Sequence, residues 1–157
     1  MSVDIPGDML EGGGQIVRTS IALAALLGRS IRVRNVRAKR TPPGLKAQHL
    51  AGVRAVAALS KAELTGLEIG STEFTFAPTS RLAGRFSFDI GTAGSIPLVL
   101  QALMPAAAFA PGPLEIEITG GTDVRWSPTI DYVRFVKLPV LAKMGYQAQL
   151  RVLRRGH

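Results

Sequence analysis

Two stretches of the chain are apolar on every side. Ile21 to Leu27 is an almost unbroken apolar run closed by Gly28, and Ile96 to Phe109 is interrupted by Gln101 and two prolines. Helices that are hydrophobic all round are buried ones. Both stretches therefore read as core helices, the first from about Gln15 to Leu27 with Gly28 as its left-handed cap. Elsewhere the period is two. Ile31 and Val33 alternate with Arg32 and Arg34, which predicts a half-buried strand over 31–37 that the turn Thr41-Pro42-Pro43-Gly44 stops. Leu45 to Leu59 has helical spacing through Leu45, His49, Val53, Val56 and Ala57, with Lys46 and Arg54 off that face. Glu63 to Ala77 reads as a hairpin with Leu64, Leu67 and Ile69, a turn at Gly70-Ser71, then Phe74 and Phe76. Val3 to Leu10 is a weak strand candidate broken by Pro6-Gly7.

The pattern then starts again. Arg85 to Ile90 is a predicted strand, Gly91-Thr92-Ala93-Gly94-Ser95 a turn with Ser95 as N-cap and Pro97 in the first helical turn. The second apolar helix follows, then a strand over Leu114–Thr119. Ser127-Pro128 is expected to cap a fourth helix reaching about Lys143, kinked at Pro139 and ended by Gly145, with a last strand over Gln147–Leu153. The turn and helix at Glu11–Leu27 match those at Ile90–Met104, displaced by roughly 80 residues. The expected fold is therefore α/β (an α+β sandwich): two repeated strand–helix–strand–helix–strand units, 1–80 and 81–157, each a roughly four-stranded sheet with two helices on one face. Such a duplication makes the two glycine turns counterparts and brings Gln101 near the cleft of Arg18. The chain stops straight out of a strand at Leu153-Arg154-Arg155-Gly156-His157, which reads as a truncated polypeptide.

The 157 residues carry a net charge of +8, and its distribution changes the picture more than its size. Between Glu11 and Glu63 there is no acid but a series of cations from Arg18 to Lys61, and none follows Asp131. One-sign regions of this kind attract polyanions, nucleic acid first, although a basic surface also serves solubility. The absence of cysteine excludes disulfides, thiolate metal sites and a cysteine nucleophile, and fits a reducing compartment or a thermophile. The first residues have neither the basic start nor the apolar core of a signal peptide, and no uninterrupted apolar run reaches spanning length. A cytoplasmic protein with no membrane partner is expected.

Against this background Glu11-Gly12-Gly13-Gly14-Gln15-Ile16-Val17-Arg18 stands out. Glycines let backbone approach a ligand closely, and they sit just before a helix N-terminus, which favours an anion. Arg18 adds a positive charge in the first turn and Glu11 a carboxylate. A carboxylate beside a phosphate pocket points to Mg²⁺ or Mn²⁺ between the two. The glycines also read as a flexible loop and Arg18 as a surface charge. The spacing is neither a P-loop nor a dinucleotide fingerprint.

The motif set Glu11–Arg18, Arg37-Ala-Lys-Arg40, Pro43-Gly-Leu-Lys-Ala-Gln-His49-Leu, Gly91-Thr-Ala-Gly-Ser95, Val99-Leu-Gln101 and Gly120-Gly-Thr-Asp123 closely resembles RNA 3'-terminal-phosphate cyclase, in order and over nearly the whole chain. The resemblance implies units of four strands and two helices similar to the C-terminal domain of translation initiation factor three. It implies an ATP-dependent reaction in three steps. An enzyme histidine is adenylylated, AMP passes to the RNA 3'-phosphate, and the neighbouring 2'-hydroxyl displaces AMP to leave a 2',3'-cyclic phosphate. The partners implied are RNA 3' ends and ATP, with Mg²⁺ or Mn²⁺.

Residue by residue, Glu11 matches the family's metal-binding carboxylate and Arg18 an arginine on the nucleotide phosphates. Arg37, Arg40, Gln48 and His49 match active-site positions, the arginines suited to forked bonding of phosphate oxygens. Gln101 matches a glutamine by the nucleotide, and Pro128 a residue packing on the adenine. The plainer readings stay open: a helix N1 proline at Pro128, a core carbonyl partner for Gln101, a structural histidine at His49. The family's adenylylated histidine lies downstream of this chain, and neither His49 nor His157 matches it. A third repeat and a small inserted domain are also missing, so the polypeptide alone is expected to lack the nucleophile. The apolar flank so exposed invites a homodimer. The alternative is a noncatalytic RNA-binding relative acting in ribosomal RNA processing; an enolpyruvyl-transferase relative shares only the fold logic.

Overall fold

The computed structural model describes residues 2–156. The first half forms a four-stranded sheet from β1 (Val3–Pro6), β2 (Ile31–Arg34), β3 (Glu63–Thr65) and β4 (Phe74–Ala77) in the spatial order β1-β2-β4-β3. β1 and β2 run parallel, joined through α1 (Gly14–Leu27); β4 is antiparallel to both β2 and β3. The alternation that predicts β2 sets its faces. Ile31 and Val33 are buried and stand opposite Phe76 and Phe74, also buried. The other face is polar, with Arg32 bonded to Glu73 at 2.7 Å and Arg34 to Asp4 at 3.2 Å. α1 and α2 (Ala47–Ser60) cover the apolar face through Val17, Ile21, Val53 and Val56. Burying each such side chain stabilises by about 1.5–3 kcal/mol.

The strand–helix–strand order recurs in β5 (Gly84–Asp89), α3 (Ile96–Ala107) and β6 (Leu114–Thr119), with β5 and β6 parallel. α3 packs on both α1 and α2, which explains why it is apolar all round. Its N-cap is Ser95, whose Oγ accepts from the Leu98 N–H at 3.3 Å, with Pro97 in the first turn. α1 ends as expected at Gly28, at φ 62° in the left-handed region, its N–H donating to the Ala24 carbonyl.

Several expectations give way. β2 ends at Arg34 because Asn35 and Arg37 turn to φ 54° and 52°, which breaks the pleat. β3 and β4 pair antiparallel as the expected hairpin, but β3 ends at Thr65 and a longer loop leaves Ile69 exposed. The helix after β6 starts at Ile130, not at Ser127-Pro128: Thr129 is its cap, accepting from the Tyr132 N–H at 3.1 Å. It proceeds as α4 (Ile130–Tyr132), a π turn over Val133–Lys137, and α5 (Leu138–Lys143). The π turn stands where a kink at Pro139 was expected. The Leu138 N–H reaches the Val133 carbonyl five residues back, widening the turn by one residue, and Pro139 falls in the first turn of α5, where a missing N–H is tolerated. Gly145 follows α5 at φ 90°. The strand expected over 147–153 is not formed. Leu150 and Val152 do pack against the core, but no strand bonds to this segment, and alternation without a ladder partner leaves extended chain. The second sheet therefore has two strands among the described residues, not about four. No helix among them is long and apolar enough to cross a membrane.

Phe76 is fully buried and faces both Ile31 and Leu64 in the ladder. Phe76→Ala is expected to lower the unfolding free energy by about 3–5 kcal/mol, measured by chemical denaturation; a loss under 1 kcal/mol would contradict this account of the core.

Candidate phosphate-binding site

Three helix starts converge on one hollow of about 400 Å³. α1 brings Gly13, Gly14 and Arg18; the start of α2 brings Lys46, Gln48 and His49; the turn before α2 brings Arg37 and Arg40. The chain between β6 and α4 closes the hollow with Val124, Arg125, Trp126 and Ser127, and α3 adds Leu98. The backbone makes this convergence possible at Gly14. A Cβ there would collide with His49 Nε2 and lie 3.2 Å from Arg18 Nη1. Only glycine lets the two helix starts come this close. The Gln48 side-chain oxygen accepts from the Ser95 N–H at 3.2 Å, which ties the start of α3 to the start of α2.

Gln101 does meet Arg18. Arg18 Nε donates to Gln101 Oε1 at 3.0 Å, and Gln15 Oε1 accepts from both Arg18 Nη2 and Gln101 Nε2, at 3.1 and 3.2 Å. Glu11 is exposed and pairs with Arg40 Nη2 at 3.2 Å. Each is thus one bond from a residue that lines the hollow. Arg37 is buried, with Nη1 donating to the carbonyls of Pro42 and Gly44 at 3.0 and 2.8 Å. Besides adding charge it therefore clamps the turn that leads into α2. Pro128 is exposed and not part of the lining, while its neighbours Trp126 and Ser127 are. His157 lies outside the described residues. The cations Lys46 and Arg125, and Trp126, complete the wall. Lys46 was legible as a cation off the apolar face of its helix; the other two sit in a loop whose apolar pattern carries no signal.

The electrostatics of the hollow are one-sided. Among the described residues no carboxylate forms an ion pair with Arg18, Arg37 or Lys46. Burial lowers the Arg18 pKa, and burial together with the neighbouring charge of Arg40 lowers that of Arg37. His49 feels the same field. Burial first, then the charges of Arg37, Arg18 and Lys46, push its pKa down to about 4. Its Nδ1 accepts the Lys46 backbone N–H at 3.0 Å, so the proton of the neutral ring sits on Nε2. The hollow thus offers guanidinium, ammonium and one neutral N–H donor, the equipment for holding a multiply charged oxyanion.

A depressed histidine pKa makes stability depend on acid. Above pH 6.5 the ring is neutral in both folded and unfolded chains and costs nothing. As pH falls from 6.5 towards 4 the unfolded chain takes up a proton that the folded one refuses, so stability drops, by on the order of 3 kcal/mol at most. His49→Gln keeps an acceptor for the Lys46 N–H and cannot titrate. Urea denaturation across pH 4–7 is expected to show a shallower acid loss in this variant; parallel profiles would refute the burial of a neutral His49.

A family model described as RNA 3'-terminal phosphate cyclase matches residues 9–157. The RNA 3'-terminal phosphate cyclase of Hyperthermus butylicus is 61% identical over 153 residues, 98% of this chain and 43% of that protein. That of Ignicoccus hospitalis is 53% identical over 155 residues, 99% of this chain and 44% of that protein. That of Pyrococcus furiosus is 51% identical over 153 residues, 98% of this chain and 45% of that protein. The chain thus spans less than half the length of the curated relatives it matches. On the extent of these matches, the chain belongs to the RNA 3'-terminal phosphate cyclase family.

Proposed function

We propose that this chain is the phosphate-receiving part of an ATP-dependent RNA 3'-terminal phosphate cyclase. The overall reaction would convert an RNA 3'-phosphate and ATP into an RNA 2',3'-cyclic phosphate, AMP and diphosphate. The observation that carries the reading is the hollow itself, where Arg18, Arg37 and Lys46 stand together with no ion-paired carboxylate among the described residues. Transfer at phosphorus needs placement and charge neutralisation more than covalent help from side chains. Arg18, held by Gln101 and Gln15, would take nucleotide phosphate oxygens. Arg40 and Lys46 would take the terminal phosphate of the RNA, with Gln48 holding the wall to α3 and Arg37 fixing the turn that presents them. His49 would donate from Nε2 to a phosphate oxygen. Pro128, exposed beside Ser127, is left for the adenine.

The residues also fit a divalent cation of a particular kind. Among the described residues no cluster of three or more His, Cys, Asp or Glu could cage one. Mg²⁺ and Mn²⁺ need no such cage, since one carboxylate with water and substrate phosphates suffices. Glu11 is that carboxylate, and such an ion would neutralise charge on the phosphates. His49 is not the adenylylated residue in this reading, because its Nδ1 lone pair accepts the Lys46 N–H and its Nε2 carries a proton.

Binding of dye-labelled oligoribonucleotides tests the reading. A 3'-phosphate end is expected to bind about tenfold tighter than a 3'-hydroxyl end, the worth of a charge-assisted bond or two, and Arg40→Ala is expected to remove the preference. Equal binding of the two ends at every salt concentration would defeat it. RNA binding with no competition from ATP would favour the noncatalytic relative. Incubated with labelled ATP and Mg²⁺ or Mn²⁺, this polypeptide is expected to show no covalent AMP on a denaturing gel. A labelled band that disappears in His49→Gln would reverse the role given to His49.

A further inference from the structure

Trp126 is the only tryptophan of the chain, and its position is not explained by packing. It is 90% exposed and belongs to no core cluster. Its backbone sits at φ 65°, a region bulky residues avoid. The turn around it shows why. The Ser127 N–H donates to the Val124 carbonyl at 3.1 Å, which makes Trp126 the third residue of a four-residue turn. With positive φ, that position ordinarily takes glycine or asparagine. The Ser127 hydroxyl donates to the same Val124 carbonyl at 2.7 Å. The loop is anchored on both sides, by the Ile130 N–H to the Thr122 carbonyl at 2.9 Å and the Gly121 N–H to the Gly94 carbonyl at 2.8 Å. A large aromatic ring is thus held in a glycine-like conformation and presented to solvent. Backbone strain of this kind gathers where a side chain must be aimed.

Trp126 borders the hollow, sharing its wall with Arg18, Arg40, Lys46 and His49. The Arg125 guanidinium carbon lies 5.6 Å from the centroid of the Trp126 ring, over one face. An exposed aromatic face beside a row of cations is the arrangement that single-stranded nucleic acid requires. A base stacks on the ring while its phosphates follow the positive charge, and any base will serve because every base has a π face. We propose that Trp126 is a stacking platform for the terminal base of the RNA strand, gripping the end nucleotide by its base while the cations of the hollow hold its 3'-phosphate. This rests on the proposed function in taking RNA ends as the ligand. The base would lie on the ring face opposite Arg125, and the grip would be indifferent to base identity.

The lone tryptophan is its own reporter. A 5'-dye-labelled oligoribonucleotide with a 3'-phosphate is titrated into the full chain, following dye anisotropy and tryptophan emission together. Quenching is expected to saturate over the same concentrations as the anisotropy. Trp126→Phe should bind nearly as tightly. Trp126→Gly suits the local φ, so its melting temperature, by circular dichroism, should equal or exceed that of the parent while RNA affinity falls about tenfold. An oligonucleotide whose last residue is abasic but still 3'-phosphorylated should lose that same factor against the parent and almost none against Trp126→Gly. RNA binding without quenching, or unchanged affinity in Trp126→Gly, would overturn the platform and leave the phosphate site standing. Full quenching by ATP alone would overturn it in favour of a nucleotide contact. RNA that does not bind at all, even at low salt, would overturn the proposed function and this inference with it.

Discussion

His49 Nε2 occupies the space that a Cβ at position 14 would need. That close approach forces the start of α1 against the start of α2, and the rest of the site follows from it. Arg18 comes one turn further along α1, and Gln101 of α3 reaches it across the helix layer at 3.0 Å. Lys46 and Gln48 flank His49, and Gln48 takes the N–H of Ser95. Three helix beginnings are thereby gathered round one hollow. At the start of α3 the first N–H groups are already taken, that of Ser95 by Gln48, that of Ile96 by the Gly121 carbonyl and that of Leu98 by Ser95 Oγ, so the positive charge of the hollow comes chiefly from its side chains.

The charges are arranged with the same economy. Carboxylates that pair with arginines on the outer sheet face, Asp4 and Glu73, lie away from the hollow. Among the described residues, the carboxylate that pairs with a cation of its lining is Glu11, on Arg40 and largely exposed. An exposed pair of this kind contributes little stability and separates readily. Phosphate could take the arginine while a cation takes the carboxylate. His49 completes the logic, since a protonated ring there would add one more positive charge beside Arg37, Arg18 and Lys46. Its depressed pKa keeps it a neutral donor at physiological pH.

Most of the fold was legible because it is written in periodicity. The period of two at Ile31–Arg34 and the apolar runs of α1 and α3 correspond to buried faces that exist. The segment over 147–153 shows the limit of that reading. Leu150 and Val152 alternate with exposed neighbours, yet a strand also needs a partner, and partners are not encoded locally. Pro139 shows another limit: the residue marks trouble for a helix, but whether the helix kinks or widens depends on which carbonyl finds a donor. In the site, the glycines and Arg18 announced themselves through local chemistry, while Arg40 was legible only as one cation of a basic run and through its motif's resemblance to the family. Arg37 was legible as a cation but not as a clamp on Pro42 and Gly44, because that contact depends on a turn. Trp126 left no trace at all, since neither its exposure nor its positive φ has a period.

α3 lies against α1 and α2 on one side and β6 on another, and one apolar cluster runs through all of them. The segment joining the two sheets is stapled down as well, with Leu82 donating to Leu59 and Arg81 to Leu26. Neither half thus keeps a private interior. Separating the two sheets would strip the helix layer on both sides at once, so a shared interior of this kind is expected to unfold as one cooperative unit, with the hollow at the junction persisting only as long as both halves remain folded.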